Sequence, residues 1–327
     1  MRAIFALVGV LAVAWCGYWF VGARVVMQGT ETALAAARAQ GLRAEVGDLS
    51  VRGFPNRFDL TVTAPDFADP ASGFGWTAPF VQVFALTYRP WHVIAAFAPE
   101  QRVTTPAGPF TLTAGKLQAS LRARPTAQLP LDRMTLVGSD LTLLAPDGAS
   151  LFAPELRLAT RDMDGTSLRH EIGLEVTGLA PGPGLMPAGT GLPAVLDRLF
   201  LDADLSFSAP LDRNAPLTRP ELTGLALDEA LLIWGDLALH ATGDLAPDAA
   251  GLAEGSLTLR VTNWQRVLPA LEAAGLVKPE VVPTWTRMLE VMAQPSGDQG
   301  VIDVTLRFAQ GRVSLGPLPL GPAPRLR

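Results

Sequence analysis

The sequence predicts a mainly β protein: an N-terminal transmembrane helix followed by a large curved antiparallel β-sheet domain with a few short helices. Three observations predict it. Residues 3–23, AIFALVGVLAVAWCGYWFVGA, carry no charge. From Leu42 onward apolar residues recur at every second position, the period of a strand with one buried face. Gly, Pro, Asp or Asn close most of these runs, as turn chemistry requires.

The uncharged stretch comes first. At ~1.5 Å per helical residue it matches a hydrocarbon core of about 30 Å. Trp15, Tyr18 and Trp19 lie toward its far end, where an aromatic belt rests at the headgroups. Val21-Gly22-Ala23 resembles a small-residue cleavage pattern, so a cleaved signal peptide is the alternative. The run is longer and bulkier than an ordinary signal-peptide core, which favours a retained anchor. Arg2 and Arg24 flank it equally, so charge does not orient it. Cys16 follows Trp15, not the small residue a lipoprotein acceptor needs, and reads as a packed thiol. It is the single cysteine and permits no internal disulfide. The anchor is assigned to residues 1–29. A helical stalk over 30–41 follows, with Thr30 as cap and Gly41 as stop.

The β region starts at residue 42. Gly53-Phe54-Pro55-Asn56 reads as a turn between two strands. After it Phe58, Leu60 and Val62 face one side, and Arg57, Asp59, Thr61 and Thr63 the other. The alternation recurs at 110–123, 134–146, 155–162, 170–179, 201–210, 234–245, 255–264 and 300–315. An Asp-Leu pair opens several runs, at Asp48, Asp140, Asp204 and Asp236. Its uneven spacing argues against a solenoid of fixed period. Residues 180–193, APGPGLMPAGTGLP, cannot form a regular element. They divide an N-terminal β lobe, 42–179, from a C-terminal lobe, 194–327. Two short helices are expected in the latter. One spans Trp264–Leu271, with Asn263 as cap and Gly275 as stop. The other spans Trp285–Met292, after Pro283 and with Thr284 as cap.

Composition narrows the function. The net charge is −5 and no Lys/Arg run exists, which excludes the basic footprint of nucleic-acid binding. Hydrophobic residues reach 49% and charged ones only 17%, against about 25% charged in ordinary soluble domains. The apolar surplus has to be placed somewhere. His92, His170 and His240 stand far apart, and no histidine or cysteine pair has metal-ligand spacing. Nucleophile elbow, P-loop and dinucleotide fingerprint are all missing from the sequence. Asp162-Met163-Asp164-Gly165 begins like a calcium loop but lacks the closing Glu, and reads as a hairpin turn. The expectation is a protein that is not an enzyme and uses no cofactor or metal.

What remains is residues 76–103, WTAPFVQVFALTYRPWHVIAAFAPEQRV. Phe80 to Leu86 is apolar at nearly every position, the mark of a strand covered on both faces. The segment is either a central core strand or the wall of an apolar groove. In the groove reading Phe58, Phe80, Phe84 and Trp91 line it.

GFPNRFDL at 53–60, APFVQVFALTYRPWHVIAAFAPEQ at 78–101 and FAQGRVSLGPLPLGPAP at 308–324 resemble the Gram-negative family known as domain of unknown function 2125. The resemblance implies an envelope protein with an N-terminal anchor and a periplasmic β domain. It supplies no catalytic residues. The run Gly255 to Trp264, then a short helix, a strand, Gly311 and a strand, is similar to the tail of AsmA-type envelope proteins. That likeness implies a long curved β groove associated with lipid movement. The expectation is a single-pass inner-membrane protein, held by residues 3–23, with the bulk of its chain in the periplasm. It binds or helps move a lipid or acyl chain; the alternative is a structural or assembly factor of the envelope that acts through protein contacts.

Overall fold

A computed structural model describes residues 1–182, 185, 191–273, 277–293, 300–316 and 318–327. The fold is mainly β, the strand pairings among the described residues are antiparallel, and a long apolar helix stands at the N-terminus.

That helix, α1 (Arg2–Ala39), joins the expected anchor and stalk in one element. Thr30 does not cap a new helix; its hydroxyl donates to the Val26 carbonyl at 2.9 Å, inside a continuous one. The physical reason is composition. Gly29 alone costs only about 1 kcal/mol, and the Ala-rich turns around it propagate the helix. Gly41, at φ 85°, follows its end.

The chain forms two compact units, one of residues 1–125 and 136–147, the other of 126–135 and 148–327. The division is not at 180–193, because a strand runs on to Pro181. Residues 183–184 and 186–190 lie outside the described residues.

In the first unit the strands are β1 (Arg43–Glu45), β2 (Leu49–Arg52), β3 (Arg57–Thr63), β4 (Asp66–Asp69), β5 (Phe74–Thr77), β6 (Phe80–Leu86), β7 (Arg89–Phe97), β8 (Glu100–Thr105), β9 (Gly108–Thr113) and β10 (Lys116–Ala123). β11 (Leu131–Leu144) contributes its second half. Only two or three residues separate β1 from β2, β3 from β4, β5 from β6, β7 from β8 and β9 from β10. These are long strands, each interrupted by a bend. On one side of the bends runs the ladder β2-β3-β6-β7-β10. On the other runs β1-β4-β5-β8-β9-β11.

Four of the five bends share a chemistry: Ala64-Pro65, Ala78-Pro79, Ala98-Pro99 and Ala114-Gly115. Proline has no N–H to give a ladder, but its carbonyl still accepts. Ala64 donates to the Pro79 carbonyl at 2.8 Å, Ala78 to that of Pro65 at 3.2 Å, and Ala114 to that of Pro99 at 2.8 Å. Alanine is all the corner accommodates; Ala98 has no exposed surface.

The buried apolar residues of β3 share one face. Phe58, Leu60 and Val62 are buried on β3. Across the bends Trp76 meets Phe97 edge-on at 6.0 Å and stacks on Phe67 at 5.9 Å. Its indole N–H donates to Oε1 of the buried Gln101 at 2.7 Å. Helix α1 lies on this face. Trp19 is buried, its indole N–H donating to the Arg57 carbonyl at 2.7 Å. Gly22 sits against the Phe58 ring so closely that any Cβ there would collide with it. Farther along, Arg38 Nε donates to the Ala44 carbonyl at 2.7 Å.

The second unit is a meander of β12 (Ser150–Asp162), β13 (Arg169–Pro181), β14 (Leu196–Phe207), β15 (Leu222–Trp234), β16 (Leu237–Pro247), β17 (Ala253–Thr262), β18 (Val301–Ala309), β19 (Arg312–Leu315) and β20 (Leu318–Pro322). Each strand pairs with the next. The short α2 (Ala215–Thr218) interrupts it between β14 and β15. As expected, the Asp162 turn joins β12 to β13; its Oδ1 accepts from the N–H groups of Gly165 and Ser167, both at 3.2 Å.

Between β17 and β18 lie α3 (Val267–Ala273) and α4 (Val282–Ala293). Asn263 does not cap α3. It stands in the left-handed region at φ 54°, and a 3-10 turn, Trp264–Arg266, comes first. Its side-chain amide donates instead to the Asp236 carbonyl at 2.6 Å. Pro269 falls in the first turn of α3, where no N–H is required. Gly275 lies outside the described residues. Helix α4 starts earlier than expected, so Pro283 and Thr284 are within its first turn. Val267, Met288 and Leu289 pack with Trp264 over Leu237, Val261, Ile302 and Val304, closing the core at that end.

Candidate functional site

In the second unit the register converts alternation into rows. Leu156, Val176, Leu199, Leu232, Leu239, Val261 and Ile302 are successive partners across β12 to β18. One step along, Leu158, Leu174, Leu201, Ala230, Ala241, Leu259 and Val304 form a parallel row. A third runs Thr160, Ile172, Ala203, Leu227, Gly243, Leu257 and Leu306. Side chains two apart share a face, so the three rows form one apolar surface.

Its cover is uneven. At the β18 end Val261, Ile302 and Val304 are buried under Trp264 and α4. Toward β12 the leucines are not: Leu156, Leu158, Leu174, Leu199, Leu201, Leu227 and Leu232 all keep part of their surface in contact with solvent. Val176 and Ala203 are buried among them, and Leu239, Leu257, Leu259 and Leu306 nearer β18 are half-buried as well. Across β12 to β15 the strip is leucine-rich and half-buried.

The other face of the same strands is charged. Arg198 pairs with Glu175 at 2.9 Å, and Arg161 pairs with Glu171. Asp202 and Asp204, on β14, have carboxyls raised above their ordinary value. Burial is the main cause for both, reinforced by Glu171 and Asp228. An open depression of about 470 Å³ lies there, lined by Arg133, Thr135, Arg161, Glu171, Phe200 and Asp202. No group of three or more His, Cys, Asp or Glu is placed to hold a metal ion among the described residues.

The first unit has its own apolar pocket, of about 530 Å³, between α1 and the ladder beyond the bends. Leu34, Ala37, Leu42, Phe67, Phe74 and Trp76 line it. That volume is within the range of small-molecule sites.

The four candidates from sequence do not share one surface. Phe58 is buried beneath Trp19 and Gly22. Phe80 and Phe84 pair with Thr63 and Asp59, which puts them on the face opposite Phe58. The Arg57 guanidinium lies 5.9 Å from the Phe84 ring centre. Trp91 falls at a register shift, where Ala85 pairs with Val93 but Leu86 with Arg89, so the β6 pairing does not join it to the Phe58 side. Sequence reasoning missed the leucine rows although it marked their strands. Each strand announces its own apolar side, but only pairing aligns the sides into a strip.

Comparison with the curated proteins and with the solved structures finds no match. The sequence model of the family described as "uncharacterized protein conserved in bacteria (DUF2125)" matches residues 19–324, nearly the whole chain, from Trp19 on α1 to Pro324 just past β20. The chain belongs to that family.

Proposed function

We propose that this is a membrane-anchored, non-catalytic envelope protein that binds, and helps to move, a lipid or other acyl chain along the leucine strip of its second unit. Helix α1 is long and apolar enough to cross a membrane; in this reading it does so, with the bulk of the chain on the periplasmic side. The observation that carries the reading is the half-buried strip across β12 to β15. Apolar surface left in water costs roughly 25 cal/mol per Å², and contiguous exposed patches mark binding sites more often than idle surface. An acyl chain fits because the strip offers methyl groups in rows and no cationic cluster for a headgroup. Selectivity among headgroups is therefore expected to be low. The likeness to AsmA-type tails points the same way.

The test is photocrosslinking. Membranes holding the full chain are given a diazirine-bearing fatty acid and irradiated, and labelled peptides are mapped by mass spectrometry. Label on residues 169–181, 196–207 and 222–234 is expected. Leu201→Asp, checked for folding by circular dichroism, should reduce it several-fold. Label confined to residues 2–24 overturns the proposal and leaves the assembly-factor reading.

A further inference from the structure

We propose that the β2–β3 and β6–β7 hairpin tips, residues 53–56 and 87–88, enter the bilayer beside α1 and set how deep the protein sits. The inference rests on the reading that α1 crosses a membrane. Its starting point is a mismatch of lengths. Residues 2–14 of α1 are exposed throughout, and at 1.5 Å per residue they reach only about 20 Å. A hydrocarbon core is about 30 Å thick. From Trp15 onward the helix is tied to the sheet. The Trp15 indole N–H donates to the Pro55 carbonyl at 3.1 Å, the Tyr18 hydroxyl to the Thr87 carbonyl at 2.7 Å, and the Trp19 indole to the Arg57 carbonyl. A span that continues to Arg24 therefore draws the two tips about 10 Å into the membrane with it.

A second observation is independent of length. Backbone entering lipid must have its polar groups paired, because no water is there to do it. In these tips much of the pairing is present, the N–H groups of Phe54, Asn56 and Tyr88 being the exceptions. The carbonyls of Pro55, Arg57 and Thr87 accept from α1 as described. The Asn56 carbonyl accepts from the Thr87 N–H at 3.0 Å and from its hydroxyl at 3.1 Å. The Arg57 N–H donates to the Gly53 carbonyl at 2.9 Å, and Pro55 has no N–H to satisfy. Thr87 is wholly buried.

The outward side chains suit the same place. Phe54 is 51% exposed and Tyr88 57%, alongside Phe20 at 64% and Val21 at 65%. Aromatic residues are the usual anchors where a protein passes from the headgroups into hydrocarbon. The exposed Arg52 and Arg89 flank the tips, where long basic side chains reach lipid phosphates.

Depth-dependent quenching tests the proposal on the full chain. In a Cys16→Ser background, single cysteines are introduced as Val10→Cys, Phe54→Cys, Tyr88→Cys or Ala107→Cys. Each is labelled with an environment-sensitive fluorophore and reconstituted into vesicles of equal parts phosphatidylcholine and phosphatidylglycerol. Ala107 is in the β8–β9 turn, beyond the bends. The probes at 54 and 88 should shift to the blue and lose more than half their emission to lipids spin-labelled near the headgroup, while the probe at 107 is unaffected. If the probe at 10 is quenched but those at 54 and 88 behave like 107, the tips stay in water and the proposal fails with the anchor intact. If the probe at 10 is not quenched, the membrane-crossing reading fails and takes the proposal with it.

Discussion

Gly53 shows how a single residue fixes the position of a strand. Its φ of 98° is one that L side chains rarely adopt. A Cβ there would stand 2.9 Å from both the Arg57 carbonyl and the Asp59 carboxylate. Gly53→Val is therefore expected to destabilise by more than ~1 kcal/mol, through conformation and through crowding. A thermal melt of the full chain in detergent measures it, and an unchanged midpoint rejects the assignment. This turn was legible in the sequence because Gly, Pro and Asn each carry a local conformational instruction. Phe58 was legible only in part. Alternation shows that it is buried, yet nothing in residues 53–65 says that Trp19 and Gly22, more than thirty positions away, supply the cover.

At the level of elements the bends explain what the sequence concealed. Ala64-Pro65 and Ala98-Pro99 look like strand ends, since proline removes a ladder donor. The chain instead uses the proline carbonyl as acceptor and carries the strand around a corner. Helix α1 misled in the opposite sense, because Thr30 has the chemistry of a cap but sits where the flanking alanines favour continuation. Strand β14 supports a prediction about pH. Asp202 and Asp204 are raised above the ordinary 3.8, so ionisation is less favourable in the folded state than in the unfolded one. The sign follows: the penalty is absent below about pH 4 and grows as pH rises through and above that value. Asp202→Asn with Asp204→Asn should raise the melting temperature at pH 7, and the gain should vanish in melts below pH 4. A gain independent of pH would mean that charge is not its source.

For the whole molecule, the mainly β class, the apolar N-terminal helix and the family were all readable from sequence, but the division into units was not. Composition placed a boundary in the Pro/Gly-rich 180–193, whereas contacts divide the chain at 125/126 and inside β11. Glycine and proline mark where the backbone turns, not where packing is sparse. The packing of α1 on β3 leads to a prediction about truncation. A chain beginning at Thr30 loses Trp19 and the turn of α1 at Gly22 that packs on Phe58. It should melt lower than a chain beginning at Val13, or aggregate, and size-exclusion chromatography of the two distinguishes these outcomes. Equal behaviour would show that the helix is dispensable to the fold.

The pairing pattern of the second unit also bears on how the chain reaches its structure. From β12 to β20 every strand is bonded to its immediate neighbour in sequence. During synthesis each new strand thus meets a partner that already exists, and the sheet grows by addition at one edge with little loop entropy to overcome. The first unit mixes nearest-neighbour hairpins with pairings that skip strands. There β3 waits for β6, β5 for β8 and β7 for β10. The ladder that contains β3 stays incomplete until Lys116–Ala123 has left the ribosome, and the other until Leu131–Leu144 has; until then α1 is the one long element available to shelter the apolar side of β3.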